Sequence, residues 1–251
     1  MKIVVVGGTG LIGSKVVNRL AEQGHDAVVA APSTGVDTLT GEGLAEAVAG
    51  AQVVVDVSNS PSFEAAAVMK FFETSTGNLL AAEAEAGVGH HVAVSVVGTE
   101  RMPDNDYFRA KIAQERLIEE SPIPFSLVHA TQFFEFVRPI ADEATDGDVV
   151  RIPPVAFQPI AGDEVADAVA RVAVGTPLNG RIEVAGPDRY RMDEFFRDAL
   201  AGWGDPRQVV ADPHARYFGS EPGELTLVPG DGATLGRIGY RDWPGRAATG
   251  R

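Results

Sequence analysis

The chain has no cysteine. Disulfides, thiolate metal sites and cysteine nucleophiles are therefore excluded, and the composition suits a reducing compartment. Positive charge is scarce too: 21 lysines and arginines stand against 35 acids, a net charge of −14. No basic stripe is present to track a phosphate backbone, so no nucleic acid partner is expected. No run approaches the ~20 apolar residues of a membrane span, and no charged leader precedes a cleavable apolar stretch. The sequence predicts a soluble, cytoplasmic protein without a membrane partner. Histidines number five, and His90-His91 is their one close pair. Neighbours on a strand point to opposite faces, so they do not share a metal. They read as surface or capping residues, and no metal is expected.

What the chain does have is a signature in its first thirteen residues. Lys2–Val6 is a short, β-branched apolar run that feeds into Gly7-Gly8-Thr9-Gly10-Leu11-Ile12-Gly13, and a periodic apolar segment (Leu11, Val16, Val17, Leu20) follows. Strand, glycine-rich turn and helix in that order open a dinucleotide-binding fold. Gly7 allows the sharp turn, Gly10 lets backbone approach a pyrophosphate, and Gly13 lets the helix pack close to the strand. The helix start then offers unpaired N–H groups and a positive dipole end to the phosphates. The candidate cofactor contacts here are Gly7, Thr9, Gly10, Leu11, Ile12 and Gly13.

At 251 residues and 45% hydrophobic, the chain can bury one large core, or a core plus a small lobe. Strands are predicted over 2–6, 27–31, 53–57, 91–97 and 125–129. Helices are predicted near 11–23, 43–49, 62–86 and 106–120, with a break in the third near Thr74–Gly77. This alternation implies a Rossmann-type α/β fold, a doubly wound parallel sheet covered on both faces. After Ala130 the texture becomes irregular. A helix is expected over 131–144, an amphipathic one over 162–174, a strand over 181–185 and a helix over 192–201. The tail from Trp243 reads as poorly ordered. The expected organisation is a dinucleotide-binding domain of 1–130 plus 157–176, with 131–156 plus 177–251 as a small, irregular substrate lobe.

Tyr107 and Lys111 are four apart in a helical pattern and so share one face. Ser95 lies twelve residues earlier in an apolar strand. A phenol of pKa ~10 is a poor acid/base at neutral pH, but a nearby ammonium favours the phenolate. A serine hydroxyl beside them can hold a carbonyl oxygen. Such a trio can pass a proton to an alkoxide as hydride arrives from a nicotinamide. The chain has only four tyrosines and four lysines, so a chance pairing at this spacing is rare; a surface tyrosine and lysine on a helix is the alternative reading.

Several segments resemble the extended and atypical short-chain dehydrogenase/reductases. They are the GGTGLIG turn, Gly77-Asn78-Leu79-Leu80-Ala81-Ala82, Ser95, and Tyr107-Phe-Arg-Ala-Lys111 followed by Glu115 and Leu117. Thr131-Gln132-Phe133-Phe134-Glu135, Phe157-Gln158-Pro159-Ile160 and Asp163-Glu164-Val165-Ala166 resemble the NmrA-like NAD(P)-binding family within it. The resemblance covers most of residues 1–200. It implies Tyr107 as acid/base, Lys111 as an added ligand of the nicotinamide ribose and Ser95 as the group orienting the carbonyl. The chain departs from the pattern at His129-Ala130, where many relatives carry Arg-Pro. Ser95 also lies early in its strand, which makes Thr99 its substitute.

The acid that grips a ribose 2′-hydroxyl in NAD enzymes falls about 20 residues after the last glycine. Ala31-Pro32-Ser33-Thr34 stands there instead. Its lack of a carboxylate favours NADP(H) over NAD(H), with the Ser33 and Thr34 hydroxyls, and Lys15, in reach of a 2′-phosphate. Asp37 is assigned to the adenine-side turn. Asn59 reads either as a cofactor contact or as a turn residue, and Asn78 as polar punctuation in a helix. Gln132, Phe133 and Phe134 follow a strand mouth and are candidates to line a small-molecule substrate pocket; aromatics there are as often core. His214 and Tyr217 are candidates to cap it. The expected activity is reduction of a ketone or quinone. An epimerase or dehydratase with a retained nicotinamide, and a redox-sensing NADP-binding protein, are the alternatives. A monomer and a homodimer both fit.

Overall fold

The computed structural model describes residues 1–246. The chain begins with β1 (Lys2–Val6), α1 (Leu11–Glu22), β2 (Asp26–Ala30), α2 (Leu44–Val48), β3 (Val53–Asp56) and α3 (Ala65–Ala86). It continues through β4 (His90–Val96), α4 (Asp106–Glu120), β5 (Phe125–Ala130) and α5 (Val137–Glu143). Then come β6 (Thr145–Asp146), β7 (Val149–Ile152), β8 (Ala156–Phe157), α6 (Gly162–Ala173), β9 (Gly180–Ala185), β10 (Tyr190–Arg191), α7 (Met192–Trp203), β11 (Gln208–Ala211) and β12 (Thr234–Leu235).

Seven of these strands form one sheet in the order β12-β9-β5-β4-β3-β1-β2. β1 runs parallel to β2 and β3, β3 parallel to β4, and β9 parallel to β12. β1 is an interior strand, flanked by β2 and β3, and its composition follows: Ile3, Val4 and Val5 are fully buried, as a strand covered on both faces requires. The Rossmann-type fold is as the alternating pattern implies. Each predicted strand and helix of the first 130 residues is present within a few positions of its expected ends.

Backbone contacts divide the chain into two compact units. The first comprises Met1–Ser95, Asp106–His129 and Val165–Ile182, and the second Val96–Asn105, Ala130–Glu164 and Glu183–Arg251. Within the first, Val4, Val6, Val54, Leu44, Val48 and Leu79 make one core cluster. Val68, Phe71 and Phe72 of α3 meet Ala110 of α4, with Tyr107 packed alongside. That contact explains why α3 runs unbroken through Thr74–Gly77, where a break was expected. Ser75 and Thr76 are buried, and Gly77 has open space where a Cβ would stand. Tertiary packing overrides the weak local propensity.

The second unit holds a three-stranded sheet, β11-β7-β6, and the antiparallel pair β10-β8. Its core is aromatic. Phe195 lies 5.2 Å from Phe157 and 4.7 Å from Tyr240, and Phe134 lies 5.6 Å from Trp243. Trp243 is thus packed rather than loose, contrary to expectation, and Pro244–Arg246 form a 3-10 turn. The tail after Arg246 lies outside the described residues. The helix expected over 131–144 starts late: a 3-10 turn at Phe134–Phe136 precedes α5. Pro139 is tolerated there because it falls in the first turn, where no intrahelical N–H bond is lost.

Candidate active site

The glycine turn is made of backbone. Gly7 sits at φ +78°, a conformation that L side chains rarely adopt, and its N–H donates to Ala30 O at 2.9 Å. A Cβ on Gly7 would stand 2.9 Å from the Ser58 backbone. A Cβ on Gly13 would overlap the Gly7 carbonyl. Gly13 therefore seats the first turn of α1 directly on the loop, and the unpaired N–H groups of that turn crown the end of β1. Thr9, Gly10 and Leu11 are exposed, while Ile12 and Gly13 are buried. The last two offer backbone, not side chain, to a ligand. This cradle, closed to any Cβ at Gly7 and Gly13, fits a pyrophosphate held by N–H groups.

At the end of β2, Pro32–Thr34 form a 3-10 turn. The Thr34 hydroxyl accepts from Ala31 N at 3.0 Å and lies 3.1 Å from Val29 O and 2.9 Å from Ala31 O. That oxygen is committed to the turn, which corrects its assignment as a phosphate ligand. Ser33 is exposed and remains the hydroxyl on offer. Asp37 closes its own loop by accepting from Leu39 N at 2.8 Å. Asn78 has a more definite role than punctuation. Its Nδ2 donates to Thr38 O and Leu39 O at 2.9 and 3.1 Å, fastening that loop to α3.

Tyr107 and Lys111 project from one face of α4, as their spacing predicts. The Tyr107 ring lies between Phe63 and Phe72, at 5.7 and 5.9 Å between centroids. Its hydroxyl donates to Asn59 Oδ1 at 3.1 Å. Burial pushes the phenol above its ordinary value, so it is a neutral donor at physiological pH. Lys111 is buried, 4.4 Å over the Phe72 ring. Its ammonium donates to Val94 O at 2.8 Å and to Gln114 Oε1. Burial lowers its pKa to about 8, with Asp56 and Glu115 working against that fall.

Two polar chains support this lysine, and neither was legible in the sequence. Gln114 Nε2 donates to Asp56 Oδ2 at 2.9 Å, and Asp56 Oδ1 accepts from Ser58 N and Oγ at 2.9 and 2.6 Å. Ser58 is the residue whose backbone faces Gly7, so the chain runs from the glycine turn to Lys111. The second chain begins at Ser95, whose hydroxyl donates to Glu115 Oε1. His129 Nε2 lies 3.3 Å from that oxygen, at ion-pair distance without hydrogen-bond alignment. Burial pushes the Glu115 carboxyl up, but His129, Ser95 and Lys111 outweigh it and hold it below its ordinary value.

Ser95, expected to orient the carbonyl, is thus buried with its hydroxyl given to Glu115. Its substitute Thr99, in the second unit, is also buried, with its hydroxyl on Glu100 at 3.2 Å. Among the second unit's candidates, Phe134 is core, packed on Tyr240 and Trp243. Phe133 stacks on Phe136 at 5.6 Å. Gln132 is buried with no hydrogen-bond partner on either amide atom. Tyr217 is buried and His214 projects into solvent.

The paired histidines also need correcting: both are buried in β4 rather than at the surface. His91 Nδ1 lies 2.8 Å from Glu83 Oε1, and His90 Nε2 lies 2.8 Å from Ser126 Oγ. Burial and the neighbouring His91 lower the His90 pKa to about 4. Burial also acts to lower His91, but Glu83 and Asp56 reverse the sign and raise it. Among the described residues no three His, Cys, Asp or Glu side chains gather as a metal site, and no helix is long and apolar enough to cross a membrane.

Residues 7–174 match the family model described as NAD(P)H-binding. Over 210 residues the chain is 28% identical to a (4-alkanoyl-5-oxo-2,5-dihydrofuran-3-yl)methyl phosphate reductase of Streptomyces griseus, covering 76% of this chain and 70% of that one. It is 21% identical over 176 residues to a photosystem II assembly factor of Synechocystis, covering 62% and 54% respectively. A dTDP-glucose 4,6-dehydratase of Streptomyces venezuelae, solved with NAD and TYD bound, shares the fold. Its TM-score is 0.73 at 16% identity, over 100% of this chain and 96% of that one.

Proposed function

Because the chain belongs to the NAD(P)H-binding family, with the fold of the extended short-chain dehydrogenase/reductases, we propose that it reduces a ketone or quinone at the expense of NAD(P)H. The reading is carried by one observation: a neutral, hydrogen-bonded Tyr107 hydroxyl one helical turn from the buried Lys111 ammonium. The similarity to a reductase adds to it. Bound at the glycine turn, the reduced nicotinamide supplies the hydride. Tyr107 donates its proton to the carbonyl oxygen, and the Lys111 charge favours the phenolate left behind. Gln114 and Asp56 hold the lysine in place from one side. Ser95 assists through Glu115 from the other.

NADPH is the preferred cofactor in this reading, since no carboxylate stands at the end of β2 to repel a 2′-phosphate and Ser33 is exposed there. The test is a titration with NADPH and NADH, followed by NADPH oxidation against a panel of ketones and quinones. Tighter NADPH binding with stoichiometric oxidation by a panel member is the expected outcome. Binding without net oxidation of any of them would favour a retained-cofactor epimerase or a sensor, and would overturn the reductase. NADH bound tenfold more tightly than NADPH would overturn the cofactor preference.

A further inference from the structure

Resting on the reductase reading, we propose that Asn59 takes the place Ser95 vacates: it holds the Tyr107 hydroxyl and donates its own N–H to the same substrate oxygen. The orientation of the amide is fixed. Asn59 Oδ1 accepts from the backbone N–H of Ser60 at 3.0 Å, so oxygen and nitrogen cannot exchange without setting donor against donor. Tyr107 then has one choice. In the free site its hydroxyl donates to that oxygen, and its single proton leaves Asn59 Oδ1 for the substrate oxygen when a carbonyl is brought to it.

The Asn59 amide nitrogen lies on the same carbon as the oxygen that Tyr107 contacts. It has no hydrogen-bond partner among the described residues, and Asn59 is exposed. A carbonyl oxygen brought to the phenol therefore meets two donors, one that gives up its proton and one that does not. As hydride from the reduced nicotinamide adds to the carbonyl carbon, the π pair moves to oxygen and that oxygen takes the Tyr107 proton. The phenolate is reprotonated from solvent. Throughout, the Asn59 N–H stabilises the charge that builds on oxygen, as an oxyanion-hole donor does. Ser95 cannot serve here, because its hydroxyl is buried and given to Glu115.

A turn-forming asparagine and a donating one respond differently to substitution. In Asn59→Asp the side chain still accepts from Ser60 N, so the turn is kept, but the donor is lost and a negative charge faces the developing oxyanion. With NADPH and 9,10-phenanthrenequinone as probes, Asn59→Asp is expected to lower kcat roughly 100-fold while NADPH still binds. A kcat within threefold of the parent overturns the inference. Asn59→Ser, which restores a donor, should recover part of the loss. If the parent oxidises NADPH with no member of the ketone and quinone panel, the reductase reading has failed, and tyrosine NMR with a 13Cζ label decides the remainder. Asn59→Leu must then move the Tyr107 resonance, identified by its loss in Tyr107→Phe. An unmoved resonance overturns the hydrogen bond on which the inference stands.

Discussion

The glycine turn and the tyrosine face of α4 are built from different material. The turn is backbone throughout: it offers N–H groups, and its shape is enforced by the lack of room for a Cβ at Gly7 and Gly13. The α4 face is made of side chains, with an ammonium and carboxylates buried together and held by an amide and two hydroxyls. A backbone site is insensitive to pH and intolerant of a single methyl group. A buried charge network depends instead on matched donors, acceptors and charges, and it responds to changes of protonation. The two parts should therefore fail in different ways.

The largest expected effect separates them cleanly. Tyr107→Phe removes the transferable proton and leaves the turn untouched, so turnover should fall by about 10²–10⁴-fold with NADPH affinity unchanged. Steady-state rates beside a fluorescence titration check it, and a parallel loss of affinity would show that the two parts are coupled. Gly13→Val is the converse. Its side chain meets the Gly7 carbonyl, which α1 can escape only by moving away from β1. A destabilisation of about 1–3 kcal/mol is expected, with NADPH binding lost, read by denaturant titration and the same fluorescence assay. Near-parental affinity in that variant would break the comparison.

Lys111 sharpens it further through pH. Burial lowers its pKa to about 8, below the ordinary lysine value, so between these two values the unfolded chain holds more protons than the folded one. Stability should therefore rise as pH increases from about 8 toward 10.5. Activity should move the other way, because the Lys111 charge that favours the Tyr107 phenolate is lost as pH passes about 8. Lys111→Met should lose turnover and flatten this limb of the stability profile. Stability and rate that rise together over this range would remove Lys111 from the role given to it.

The same contrast decides what could be read from the sequence. The turn was legible because its requirements are local: a β-branched run, glycines at set spacing and a helix start are all within thirteen residues. The Tyr107–Lys111 pair was legible because helical periodicity places residues four apart on one face. The network beneath them was not, for Gln114 meets Asp56 across 58 positions and Ser95 meets Glu115 across 20. His90 and His91 were misread for the same reason, since Ser126 and Glu83 make a buried strand hospitable to imidazoles. Local propensity also misjudged α3, whose continuity comes from Phe71 and Phe72 packing beside α4. Asn59 stood between two readings because an asparagine after a strand forms turns and binds ligands equally well. Its contact with Tyr107 spans 48 positions and leaves no trace in the local sequence.

The smallest expected effect lies at the end of β2, where a side chain supports the backbone part. Thr34 caps the 3-10 turn through the Ala31 N–H, so Thr34→Ala should cost about 0.5–2 kcal/mol, in the range of a lost cap. Because its hydroxyl also lies within reach of the Val29 and Ala31 carbonyls, it has little left to give a 2′-phosphate. The ratio of NADPH to NADH affinities should therefore stay within about twofold of the parent, whereas Ser33→Asp should weaken NADPH selectively by like-charge repulsion. Paired titrations of both variants with both nucleotides read the difference. If Thr34→Ala instead lost NADPH affinity tenfold with NADH unaffected, the hydroxyl would be a ligand after all. The cofactor site would then depend on side chains at this strand end as much as α4 does.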